Sequence, residues 1–277
     1  MARWLPLKAL FVLTAAALVC SVFLLLLVAG AAQTSLARNA LWELVHNECV
    51  PNQTQHQDPS PCSRVDFGAG IDKGYVILKD IRGVSQFLLI PTAPISGIES
   101  PEVLGPKAPN YFDLAWNART YVYDALHKTL PRDDIGLAVN SLPSRSQDTL
   151  HIHIDCVDVD VRAALRKQEA SIGNKWAPLN VLLLAHRYAA MWLPGEHLGS
   201  NNPFKLLAER VPGAAQDMGD RTLVVIGSTR SDGAIGFVIL ENQANRVSGD
   251  LASGEELLDH GCRVAAAAPQ DSGVKPQ

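Results

Sequence analysis

What this chain of 277 residues does not contain narrows its reading first. None of its five cysteines forms a Cys-x-x-Cys pair, so the spacing that usually holds a structural zinc is missing. Lys and Arg number 24 against 28 Asp and Glu, a net charge of −4, which removes the basic footprint of a nucleic-acid binder. The same balance argues against a polybasic grip on anionic lipid. There is no internal repeat, and no low-complexity block apart from an Ala-rich, then polar, tail over 265–277. No acidic residue precedes Glu43.

That last absence frames what is present. Ala9 to Ala32 is a run of 24 uncharged residues. As a helix it would be ~36 Å long, enough to cross a ~30 Å hydrocarbon core. Arg3 and Lys8 precede it, so the reading is one transmembrane anchor over 9–32, with residues 1–8 cytoplasmic and the remainder exported. Ala29-Gly30-Ala31-Ala32 also resembles a signal-cleavage site, a competing reading that the length of the run disfavours. Lipidation at Cys20 is disfavoured by the valine before it. Beyond the anchor lie 22 basic and 28 acidic residues, net −6, and four cysteines: Cys49, Cys62, Cys156 and Cys262. An even number in an exported chain favours disulfides, and three connectivities are open. The preferred pairing is Cys49–Cys62, closing a short polar loop, with Cys156–Cys262, tying the C-terminal region behind a strand.

The pattern along the exported part predicts an α+β domain over 33–264. Gln33 to Glu48 has helical spacing, and Val50 to Arg64, with three prolines, reads as the disulfide-closed loop. Tyr75–Leu78 and Gln86–Ile90 read as a hairpin, and Asn110 to His127 as one helix capped by Asn110 with Asp113. Ile135–Asn140 and Leu150–Val157 are further strands, and Asp160 to Ile172 a helix. Pro203 to Arg210 reads as a short helix, and Thr222–Ile226 with Ile235–Leu240 as a late hairpin. Ser253 with Glu256 marks a last helix carrying Cys262. The stretch 174–199 resists assignment; Met191–Leu198, with Trp192, reads as core more readily than as a shelter for acyl chains.

The chemistry concentrates in Thr149-Leu150-His151-Ile152-His153-Ile154-Asp155-Cys156. With a side-chain period of two, Leu150, Ile152, Ile154 and Cys156 face a core, and Thr149, His151, His153 and Asp155 share the other, open face. Imidazoles titrate near neutrality and can attack phosphorus, so His151 and His153 suit nucleophilic phosphoryl chemistry that needs no metal. A metal-dependent hydrolase using His151, His153 and Asp155 is the alternative: His-x-His-x-Asp resembles the opening of the metallo-β-lactamase-like ligand set, but Cys156 stands where the further histidine of that set would follow, and no glycines come after it. A solvent-facing, inert histidine pair is the bland reading. The loop Ser141 to Asp148, with Arg145 among hydroxyls and amides, could surround an anion or be solvated.

The segment Ile135 to Ile154, with Asn140, Gln147 and Thr149-Leu150-His151-Ile152-His153-Ile154, resembles the histidine-triad nucleotide hydrolases and transferases. More closely, the chain is similar to the bacterial membrane-anchored CDP-diacylglycerol pyrophosphatases. Cys49-Val50-Pro51-Asn52-Gln53, Pro59-Ser60-Pro61-Cys62, Gly74 to Asp80, Leu89-Ile90-Pro91-Thr92, Asn140-Ser141, His151 to Ile154 and Cys262 carry the likeness. It implies an antiparallel histidine-triad-like sheet with packed helices, facing the periplasm from the inner membrane. It also implies hydrolysis of CDP-diacylglycerol to CMP and phosphatidate without a cofactor. The lipid bilayer would be a partner and nucleic acid would not. By position, His151 is the expected nucleophile and His153 the stabiliser of phosphoryl oxygens. Thr149, Asn140, Gln147 and Ser146 are the expected substrate-binding residues. One position departs: Thr149 stands where the first histidine of the triad belongs, which leaves room for a catalytically silent nucleotide- or lipid-binding protein.

Overall fold

The structure, a computed structural model, describes residues 38–68 and 70–267. The expected anchor over 9–32 lies outside the described residues, and among those described no helix is long and apolar enough to cross a membrane. The α+β expectation holds. Nine strands form one antiparallel sheet: β1 (Arg64–Asp66), β2 (Tyr75–Lys79), β3 (Phe87–Pro91), β4 (Ile135–Val139), β5 (Ile152–Cys156), β6 (Ala177–Pro178), β7 (Ala189–Pro194), β8 (Arg221–Thr229) and β9 (Ile235–Gln243). Their order is β1-β2-β3-β5-β4-β8-β9-β7-β6, so the late hairpin extends the first sheet and does not start another. The histidine strand β5 runs between β3 and β4, paired on both edges.

Helices cover both faces: α1 (Ala40–Leu44), α2 (Val50–His56), α3 (Tyr111–Asn117), α4 (Thr120–Leu126), α5 (Val159–Gln168), α6 (Pro203–Arg210) and α7 (Arg263–Ala267). One face carries a continuous core in which Leu150, Ile152, Ile154 and Cys156 meet Tyr111, Phe112 and Trp116 of α3 and Phe204 of α6. The period-two division of β5 is therefore observed. The other face holds two separate apolar clusters. Val45, Cys49, Val76, Leu78, Leu88 and Ile90 form one, under the N-terminal helices. Ala138, Val224, Leu240, Trp192 and Leu165 of α5 belong to the other.

Several local expectations are corrected. The proline-rich stretch after Cys49 is not all loop, because Val50–His56 is helical with Pro51 in its first turn, where no N–H is required. A π-turn over Val45–Cys49 joins it to α1, with Val50 N donating to Val45 O, which relaxes the ladder just where proline enters. The single helix expected over 110–127 breaks at Ala118 and Arg119 into α3 and α4. Asn110 does cap it, its side chain accepting from Asp113 N at 3.4 Å. Ser253 makes no side-chain cap; a 3₁₀ turn spans Gly254–Leu257, Cys262 follows it, and the expected tail begins as α7 with Val264 buried. Met191 and Trp192 lie in β7 with their side chains buried, on opposite faces of the sheet.

Both preferred disulfides are present, Cys49–Cys62 and Cys156–Cys262. The first fastens α1 and α2 to the segment leading into β1. The second fastens the chain after the 3₁₀ turn to the end of β5.

Candidate active site

The site grows out of an interrupted row. On the split face, Leu78 opposes Leu88, Leu88 opposes His153, His153 opposes Ala138, Ala138 opposes Val224, and Val224 opposes Leu240. Residues directly opposite on neighbouring strands share a face, so one imidazole stands in an otherwise apolar row. His151, two residues earlier, stands beside it, the ring centroids 4.9 Å apart and the planes edge to face. The face is not open as the sequence suggested. His151 is 6% exposed and His153 4%, because α1, the β2–β3 loop and the C-terminal segment close over them. What remains is a cavity of about 450 Å³ lined by both histidines, Ser146, Gln147, Glu255, Asp80, Lys79 and Arg82 on its polar side.

The tautomers follow from the partners. His151 Nδ1 lies 2.6 Å from the carbonyl oxygen of Thr149. A carbonyl only accepts, so Nδ1 carries the proton of the neutral ring and Nε2 keeps a lone pair. Burial pushes the His151 pKa below its ordinary value, more than the Thr149 carbonyl raises it, which keeps Nε2 unprotonated near neutrality. The partner of the ring is thus the backbone of Thr149 and not its side chain.

His153 has the opposite arrangement. Gln86 Nε2 lies 2.7 Å from His153 Nδ1, 3.1 Å from Asp80 Oδ2 and 3.3 Å from Glu255 Oε1. Two carboxylates identify that end of the amide as the donor, so Nδ1 of His153 accepts and Nε2 carries the proton. Burial brings the His153 pKa down to about 3. The ring is therefore neutral, and its 3.4 Å approach to Glu255 Oε1 is not an ion pair. His153 Nε2 is buried without a protein partner, an N–H left over in a cavity wall.

Behind the pair lies a network the sequence reading missed. His260 Nδ1 is 2.9 Å from Asp155 Oδ2 and its Nε2 is 3.3 Å from Glu255 Oε1. Both nitrogens face carboxylates, so the ring is an imidazolium, its pKa pushed up to about 10 chiefly by the Asp155 bond and then by Glu255. Burial alone would raise the Glu255 carboxyl, but donors from His260, Asn140 and Gln86 more than offset it and hold it below the usual range. Ser85 Oγ donates to Asp155 Oδ1 at 2.9 Å. Both oxygens of Asp155 are thus engaged away from His151 and His153, and the alternative His151, His153, Asp155 ligand set does not converge. Among the described residues no group of three or more His, Cys, Asp or Glu is arranged to hold a metal. The Cys156–Cys262 bridge explains the geometry: it joins the neighbour of Asp155 to a residue two positions after His260. The preferred pairing already implied that His260 approaches Asp155, a signal available in the sequence.

The other predicted site residues divide. Ser146 and Gln147 line the cavity, and Gln147 Oε1 accepts from Leu41 N at 3.0 Å, fastening α1 to the loop. Asn140 is not among the lining residues. Its Nδ2 donates to Glu255 Oε2 at 3.1 Å and its Oδ1 accepts from Glu255 N at 3.0 Å, so it grips Glu255 at both ends. Arg145, considered for an anion, is buried and bound to Glu99 and Asp148.

Comparison with known proteins bears on what this cavity serves. The sequence profile of a family described as CDP-diacylglycerol pyrophosphatase matches residues 36–266. A CDP-diacylglycerol pyrophosphatase of Yersinia pestis is 41% identical over 226 residues, which is 82% of this chain and 84% of that protein. The profile match runs through the histidine strand and the segment that carries Glu255 and His260, and the chain belongs to the CDP-diacylglycerol pyrophosphatase family of hydrolases.

Proposed function

We propose that the chain hydrolyses the pyrophosphate of CDP-diacylglycerol to CMP and phosphatidate through a covalent nucleotidyl intermediate on His151. In the first step His151 Nε2 attacks the phosphorus of the CMP half. The bridging P–O bond breaks, and its electron pair leaves with phosphatidate. His153 Nε2–H donates to the phosphoryl oxygens as charge builds there. Water then attacks the same phosphorus, the P–N bond breaks, and CMP departs. The single observation carrying this reading is the 2.6 Å bond between His151 Nδ1 and the Thr149 carbonyl. It leaves the cavity-facing nitrogen with a lone pair and supplies what the absent first histidine would have done. Ser146 and Gln147 are proposed to contact the nucleotide or its phosphates. Asn140 is proposed to act indirectly, through Glu255.

The domain is read as histidine-triad-like and tethered to the bacterial inner membrane by residues 9–32, facing the periplasm. The two disulfides agree with an oxidising compartment. The test is brief exposure to substrate labelled at the CMP phosphorus, an alkaline quench, and mapping of the label. The expected result is a phosphorus–nitrogen adduct on His151, with CMP release lowered at least ~10³-fold in His151→Ala. Full activity in His151→Ala, or tight CMP binding without turnover in the unaltered protein, would sink the reading.

A further inference from the structure

The mouth of the cavity is built differently from its floor. Leu41 and Leu44 of α1, with Leu78, Leu88 and Ile81, form an apolar wall that rises from the buried histidines to the tip of the β2–β3 hairpin. At that tip Ile81 is 100% exposed and Val84 60% exposed. Single exposed aliphatics are ordinary on soluble surfaces. These two, however, flank Arg82, which lines the cavity and whose guanidinium has no side-chain partner among the described residues. The tip is also tied down by hydrogen bonds. Val84 N donates to His260 O at 3.1 Å, and Lys79 Nζ binds the carbonyls of Asp80 and Gly83 at 2.9 and 3.1 Å. Gly83 has a φ of +68°, and a Cβ there would lie 2.8 Å from His260 Cβ, so only glycine permits this close approach. A loop pinned at its base and aliphatic at its apex is shaped for a surface to which it is presented.

A second observation says which surface. The described chain starts at Arg38, and α1, immediately after it, lines the same cavity. The 24-residue uncharged run ends at Ala32, with five residues intervening. Fully extended, they span at most about 20 Å. The cavity mouth is thereby kept close to wherever that run is embedded.

We propose that the hairpin tip Ile81 to Val84 docks into the lipid bilayer, with Ile81 and Val84 entering the acyl layer and Arg82 pairing with headgroup phosphate. This rests on the anchored reading above and deepens it: the tip sets the cavity mouth at the membrane surface, where the lipid half of the substrate need not leave the acyl layer. The test uses the full chain with Cys20→Ser and Ile81→Cys, labelled at the new thiol with an environment-sensitive fluorophore. It is reconstituted in phosphatidylcholine–phosphatidylglycerol vesicles with plain or brominated acyl chains. Val247, also 100% exposed but not lining the cavity, gives the control Val247→Cys. Expected is at least ~2-fold quenching by brominated lipid at position 81 and little at 247. In Ile81→Asp/Val84→Asp, the ratio of turnover on vesicle-borne substrate to turnover on its deacylated, water-soluble analogue should fall ~10-fold. A vesicle-bound protein with unquenched label overturns the docking while sparing the anchor. A protein found in the soluble fraction overturns both. Lipid-independent shielding that grows with protein concentration would assign the tip to a second copy of the chain and overturn the proposal.

Discussion

The two faces of the sheet are made of the same strands and do opposite work. On one, side chains from seven strands and from α3, α4 and α6 merge into a single apolar core. On the other, the apolar clusters under the N-terminal helices and under α5 stay separate, and the His151, His153, Glu255 and His260 network lies between them. The difference teaches that the site is a gap in packing, lined by polar groups that bond largely to one another and leave His153 Nε2 and Gln86 Oε1 without a protein partner. On this view the continuous face provides stability and the split face forgoes some of it for chemistry.

The sharpest way to break that comparison is His153→Leu. It completes the row between Leu88 and Ala138 with an aliphatic side chain and removes a buried, unpartnered N–H. CMP release should fall ~10²–10³-fold while the melting temperature holds or rises. A large loss of stability would mean that the polar face is structural. The mirror-image variant is Ile154→Ala, one residue along and fully buried on the continuous face. It should cost ~2–5 kcal/mol in urea titration, with kcat of the folded protein changed by less than ~3-fold.

A subtler test uses pH. His260 has a folded pKa of about 10 against 6.5 for the free side chain. Its contribution to stability is therefore complete below pH 6.5 and is lost as pH rises through 10. The unaltered protein should lose melting temperature over that window, and His260→Gln should abolish the slope. The effect is modest, since the His260 side chain is 33% exposed and solvent screens it. In the opposite direction, the depressed pKa values of His151 and His153 cost stability as pH falls below 6.5, and that slope should survive in His260→Gln. The smallest effect is expected from Thr149→Ala. The Thr149 carbonyl, and not its side chain, orients His151, so CMP release should stay within ~3-fold. A loss as large as that of His153→Leu would return the orienting role to the hydroxyl.

Much of this was legible along the chain. Alternation in 149–156 separated core from chemistry residue by residue; the cysteine count and compartment favoured disulfides but left three connectivities open, and the structure has the preferred one. Where local signals competed, they misled. Pro51 read as a loop former, yet the π-turn before it let a helix continue. Ser253 and Glu256 read as a cap, yet that segment is a 3₁₀ turn whose Glu255 faces the site.

By itself the sequence determined which residue types could attack phosphorus, which strand carried them, and that a long uncharged run precedes the domain. Those are properties of composition and of a period-two repeat, and they need no partner to be read. Only the tertiary structure decided that the histidine face is covered, that His260 is a charged bridge between Asp155 and Glu255, and that the Thr149 carbonyl meets His151 Nδ1. Each of these depends on residues more than a hundred positions apart, or on a backbone oxygen, and neither leaves a local pattern.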